Sequence, residues 1–176
     1  ASDAARAALP QILADIKAGQ PDAGLVLLQQ LQAAGTASND DIAILSHRLA
    51  ASYLAEGNNP MAFQLASSAA SPLVPQLLWE AGFAAYRMGD YANAELKLES
   101  LGENSAAQNT LRAQGAFWAA RAHMQSGYPI KVITLLQFAA KQEPSYYGLI
   151  AERILGIDTG TGLSDPVLTA ADFSNL

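Results

Sequence analysis

Two histidines, one Glu-Ser dipeptide and one glycine-rich run are where this chain could do chemistry. His47 and His123 are its only histidines, and an imidazole can act as base, acid or metal ligand. Neither has a carboxylate at helical spacing, so no metal site is expected of them. Each stands at a repeat position that otherwise takes an aromatic or small packing residue, which implies a core or groove-edge role. Glu99-Ser100, in KLESLGENS, sets a carboxylate beside a hydroxyl. It falls inside a helix-forming stretch, where solvent would leave the carboxyl without the apolar pocket a general acid needs. GIDTGTG, Gly156 to Gly162, superficially resembles a phosphate loop, but it follows a helical stretch and lacks the Gly-Lys-Ser/Thr ending. It reads as a linker. Asp40 and Asp41, in the SND run before IAILSHRLA, fit the charged start of a helix. With no cysteine in the chain, thiolate sites and disulfides are absent too. The expectation is therefore no catalytic, cofactor-binding or metal-binding residue.

The elements around these residues read as helices. The chain has 176 residues, the length of one domain, and 51% of them are apolar, with Ala dominant. Ala loses no side-chain entropy in a helix, whereas the sparse β-branched residues would. No run reaches the roughly 18 apolar residues of a membrane span. A net charge of −6 argues against a nucleic-acid partner. That charge is uneven: residues 106–156 carry five basic and two acidic residues, +3, which leaves −9 for the remainder.

Gly19, Gly57, Gly89 and Gly127 each follow an amphipathic run, at separations of 38, 32 and 38 residues. This period belongs to helical repeats, with Gly ending the first helix of each pair in a left-handed conformation. The clearest copy is LLWEAGFAAYRMGDYANAELKLESL, Leu77 to Leu101. Its Gly82, Gly89, Tyr91 and Ala94 resemble the tetratricopeptide repeat, with Gly82 allowing close approach of the paired helices. The expected fold is all-α, a right-handed superhelix of antiparallel helix pairs. The pairs span about 3–35, 40–71, 74–102 and 106–142, a closing helix spans 145–155, and 157–176 is a linker to a following segment. A short helix is expected after Pro166.

Three stretches resemble the helical N-terminal region of soluble lytic transglycosylases, periplasmic enzymes that cleave peptidoglycan. In the first, the matching residues are Trp79, Ala81, Gly82, Ala84, Ala85, Tyr86, Arg87 and Gly89. In the second they are Phe117, Trp118, Ala120, Arg121, Ala122 and Gly127, and in the third Tyr146, Tyr147, Gly148, Ala151, Leu155 and Gly156. The resemblance covers about residues 77–156. It implies a periplasmic location and a scaffold for a catalytic domain that these residues do not contain. The family's catalytic Glu-Ser is followed by a G-x-x-G-L-M-Q-like stretch, which Glu99-Ser100 lacks. On this view the chain is a fragment whose gene continues past Leu176.

In such repeats the first helix of each pair lines a concave face. Counting from the turn glycine places Gln76, Trp79, Phe83, Tyr86 and Arg87 there in the third pair, and Gln114, Phe117, Arg121, Met124 and Gln125 in the fourth. Trp79, Phe83, Tyr86, Arg87, Phe117 and Arg121 form the candidate groove. Rings interleaved with Arg suit sugar stacking or a peptide with carboxylates, but aromatic residues at helical spacing more usually pack a core. Two functions follow: a non-catalytic scaffold that holds glycan strands or the enzyme's own catalytic domain, or a stand-alone adaptor binding a partner protein in its groove. Tyr146, Tyr147 and Gly148 fit either a family-specific closing helix or a simple cap on the last repeat's apolar face.

Overall fold

Glycines and N-caps set the helix boundaries. The computed structural model describes residues 2–69, 71–142 and 144–157. Asp3–Lys17 (α1) and Pro21–Ala34 (α2) form a first pair, and Asn39–Glu56 (α3) and Asn59–Ser68 (α4) a second. Gln76–Arg87 (α5) pairs with Tyr91–Glu103 (α6), and Asn109–Ser126 (α7) with Val132–Ala140 (α8). Tyr146–Leu155 (α9) follows. The described residues contain no strand, so the chain is all-α. No described helix is long and apolar enough to cross a membrane.

The turn glycines behave as their spacing implies. Gly19, Gly57, Gly89 and Gly127 have φ of 71°, 84°, 79° and 81°, the left-handed region that a side chain disfavours. Side chains close the helix starts. Ser38 and Asp41 form a reciprocal capping box on α3, and Asp41 also accepts a hydrogen bond from the Ser2 backbone N–H at 2.9 Å. The acidic start anticipated in the SND run therefore also ties α1 to α3. On α9, the Ser145 hydroxyl accepts from the Gly148 N–H at 2.9 Å.

Each helix packs on the next, and α1, α3, α5, α7 and α9 also touch in succession. Gly82 makes one of these contacts possible, since a Cβ there would lie 2.6 Å from Leu98 Cγ on α6. The core is mostly Ala and Leu: Ala81, Ala84, Ala85, Ala94, Leu98, Ala119 and Ala122 are fully or almost fully buried. Small side chains let helix axes approach closely and let large rings fill the remaining gaps. The expected linker beyond Ile157 and the helix after Pro166 lie outside the described residues.

Candidate functional site

The rings of α5 and α7 meet in one cluster. Trp79 and Phe83 lie one helical turn apart and stack at 4.6 Å with planes 13° apart. Tyr86 continues the row, 6.4 Å beyond Phe83. Trp118 enters from α7, edge-on to all three, at 6.4 Å from Trp79, 4.7 Å from Phe83 and 5.1 Å from Tyr86. Tyr91, at the start of α6, meets Tyr86 edge-on at 5.6 Å. Edge-to-face contact is the favoured arrangement for such rings, although the Trp118 indole N–H is buried without a hydrogen-bond partner among the described residues. Each of Trp79, Phe83, Tyr86 and Trp118 is half-buried, which leaves only part of each ring for a ligand.

The other candidate residues sit at the margins of this row, Phe117 edge-on to Trp118 at 6.1 Å and Arg87 with its guanidinium 6.0 Å from the Phe83 ring. Phe117 is buried and faces Tyr147 of α9 at 5.2 Å. Arg87 donates from Nη1 to the Leu54 carbonyl oxygen at 2.9 Å, closing the C-terminal end of α3. Arg121 lays its guanidinium 5.1 Å from the Trp118 ring and has no carboxylate partner among the described residues.

One spacing relates these contacts. His47, Trp79 and Phe117 stand ten residues before Gly57, Gly89 and Gly127. Glu80, Trp118 and Tyr147 stand nine before Gly89, Gly127 and Gly156. Each member of the first set touches the corresponding member of the second on the next odd-numbered helix: His47 with Glu80, Trp79 with Trp118, Phe117 with Tyr147. Trp118 and Glu80 were not among the candidate groove residues, yet the glycine count alone points to both.

The histidines each have a carboxylate partner, which comes from a neighbouring helix and not from helical spacing on their own. His47 Nδ1 lies 2.9 Å from Glu80 Oε1. Glu80 is 3% exposed, and its Oε2 has no hydrogen-bond partner among the described residues. Burial pushes its carboxyl above the usual range, and His47 only partly opposes this. His123 Nε2 lies 2.5 Å from Glu99 Oε1, while Nδ1 lies 3.5 Å from Glu95 Oε1. Lys131 donates to Glu99 Oε2 at 2.7 Å.

Glu99 is thus not simply solvated, which corrects the sequence expectation. Partial burial works to raise its carboxyl, but hydrogen bonds from Lys131 and His123 outweigh it and hold the carboxyl below its ordinary value. That is the wrong direction for a general acid. The two carboxylates lie against opposite nitrogens of one ring, so they do not converge on a common point. Among the described residues no group of three or more His, Asp and Glu side chains is placed to hold a metal ion. The site is therefore a ring-and-guanidinium face of an all-helical protein. Compared with family models, curated proteins and solved structures, the chain matches none of them.

Proposed function

We propose that this chain is the non-catalytic helical scaffold of a periplasmic lytic transglycosylase, its pairs stacked as a right-handed, tetratricopeptide-like superhelix. It holds peptidoglycan glycan strands, or the enzyme's own catalytic domain, along the face that carries Trp79 and Trp118. One observation supports this most. Trp79, Phe117, Trp118 and Tyr147, drawn from all three resembling stretches, meet across the contacts of α5 with α7 and of α7 with α9. The ordered motifs thus have a shared architectural purpose, and stacked pairs offer an extended surface for a strand. Glu99, held ionised by Lys131 and His123, fits the absence of chemistry from the scaffold.

Isolated peptidoglycan sacculi provide the test. The chain is mixed with them and sedimented, and the supernatant is analysed for anhydro-muropeptides by mass spectrometry. Protein is expected in the pellet, with no sugar released. Protein left in the supernatant removes the strand-holding role, and released anhydro-sugars overturn the non-catalytic assignment. The stand-alone adaptor has its own support in the exposed guanidinium of Arg121, which has no carboxylate partner among the described residues and sits beside an apolar cleft.

A further inference from the structure

Arg121 holds on α7 the place that Phe83 holds on α5, six residues before the turn glycine in each. On α5 that place is filled by a ring packed on Trp79 and Trp118. On α7 the guanidinium leans onto Trp118 instead, and the space beside Phe117 stays open. A cleft of about 170 Å³ results, its apolar lining formed by Phe117, Ala120, Met124, Leu136 and Ile154 and its polar edge by Arg121 and Gln125. Its floor is Phe117, Ala120 and Leu136, all buried, and its rim is Met124 and Ile154, 60% and 58% exposed.

Size and charge limit the occupant. An apolar cavity of about 150 Å³ holds one benzene ring, whereas drug-sized ligands occupy roughly 300–1,000 Å³. The cleft therefore takes a single ring or branched aliphatic group, and a disaccharide is too large for it. Its floor offers no donor or acceptor for sugar hydroxyls. Arg121, at the lip, is an exposed cation without a carboxylate partner among the described residues. It also lies in the +3 segment, 106–156, of an otherwise acidic chain. An apolar hole with a lone guanidinium at its edge selects an apolar group carried next to an anion.

We propose that this cleft anchors an acidic peptide, which places one Phe or Leu side chain beside Phe117 and pairs an adjacent carboxylate with Arg121. The site goes beyond the scaffold role and stands whether or not the chain acts at the cell wall. Residues on α7, α8 and α9 all contribute, so the closing helix α9 completes the cleft as well as capping the last pair.

Fluorescence anisotropy with the whole chain tests this, using a labelled Asp-Glu-Phe-Glu-Asp peptide and the same peptide with Ala at the centre. Saturable binding is expected for the Phe peptide, weakening at least about tenfold for the Ala peptide and for Arg121→Gln, and declining with salt. Met124→Trp, at the exposed rim, should block the cleft while circular dichroism shows an intact fold. Equal affinity for the two peptides removes the anchor, and an unchanged Kd in Arg121→Gln removes the ion pair. No saturation by about 1 mM peptide overturns the site altogether. Displacement by an N-acetylglucosamine oligomer reassigns the cleft to sugar, and self-association abolished by Met124→Trp reassigns it to a second copy of the chain.

Discussion

Glu80 is the residue whose chemistry differs most from its sequence context. It takes the position that Trp118 and Tyr147 hold in later helices, and there it buries a carboxyl against His47. Its folded pKa lies above the ordinary value because burial disfavours the charge. A raised carboxyl contributes its stability below the ordinary pKa of about 4.5, and that contribution is lost as pH rises through the folded value. Glu80→Gln keeps an oxygen for the His47 contact and never ionises. Its stability relative to the parent should therefore improve as pH rises above about 4.5, by about 1.4 kcal/mol for each pH unit until Glu80 ionises. Urea denaturation across that range measures the gap, and a flat gap would sink the prediction. Sequence reading missed this pair for a physical reason. His47 and Glu80 are 33 residues apart on different helices, and helical periodicity inspects one helix at a time. The same holds for His123 and Glu99, 24 residues apart.

At the scale of helices, the sequence was far more legible, because helix ends and close crossings constrain residue type directly. Gly89 and Gly82 lie seven residues apart but are needed for different reasons. Gly89 has a φ of 79° and open space around it, so its need is backbone conformation alone. Gly82 lies in α5 against Leu98, and any Cβ there must displace a fully buried side chain. Gly82→Ala gains helix propensity of up to about 1 kcal/mol but overpacks the α5–α6 contact. A net loss of about 1–2 kcal/mol in thermal or chemical unfolding is expected. In a Leu98→Ala background the clash with Leu98 is gone and only the Lys97 Cβ, 3.2 Å away, still crowds the site, so the same substitution should cost clearly less. Equal costs in both backgrounds would show that the Leu98 contact is not what requires glycine. Ala120 stands in α7 where Gly82 stands in α5, and it is accommodated at 1% exposure. The repeat thus tolerates a methyl where its neighbour is less crowded.

The whole molecule is a chain of local joints, which gives its ends a different stability from its middle. Among the described residues the main contacts of each odd-numbered helix are with its neighbours, and α3 to α9 meet in succession through His47 and Glu80, Trp79 and Trp118, then Phe117 and Tyr147. All-α architecture follows from Ala-rich composition and glycine spacing, but which ring meets which depends on how successive pairs rotate. Composition carries no such information, so Phe117 was grouped with Trp79 although it faces Tyr147 on the last joint. Gly148 shows how tight that joint is: a Cβ there would meet the Ala139 carbonyl oxygen of α8 at 3.0 Å. Tyr147→Ala removes the ring partner of Phe117 on α9 and makes no direct change to the contacts of Trp118 with Trp79, Phe83 and Tyr86. In an array built from neighbour contacts, such a loss should open the nearest elements first. Native-state hydrogen exchange is expected to show protection falling in α8 and α9, with α3 to α6 unchanged. The substitution should also weaken the cleft beside Phe117, since Ile154 of α9 forms part of its rim. A uniform fall in protection would instead mean that the helices unfold as one unit, and that Tyr147 closes the whole array.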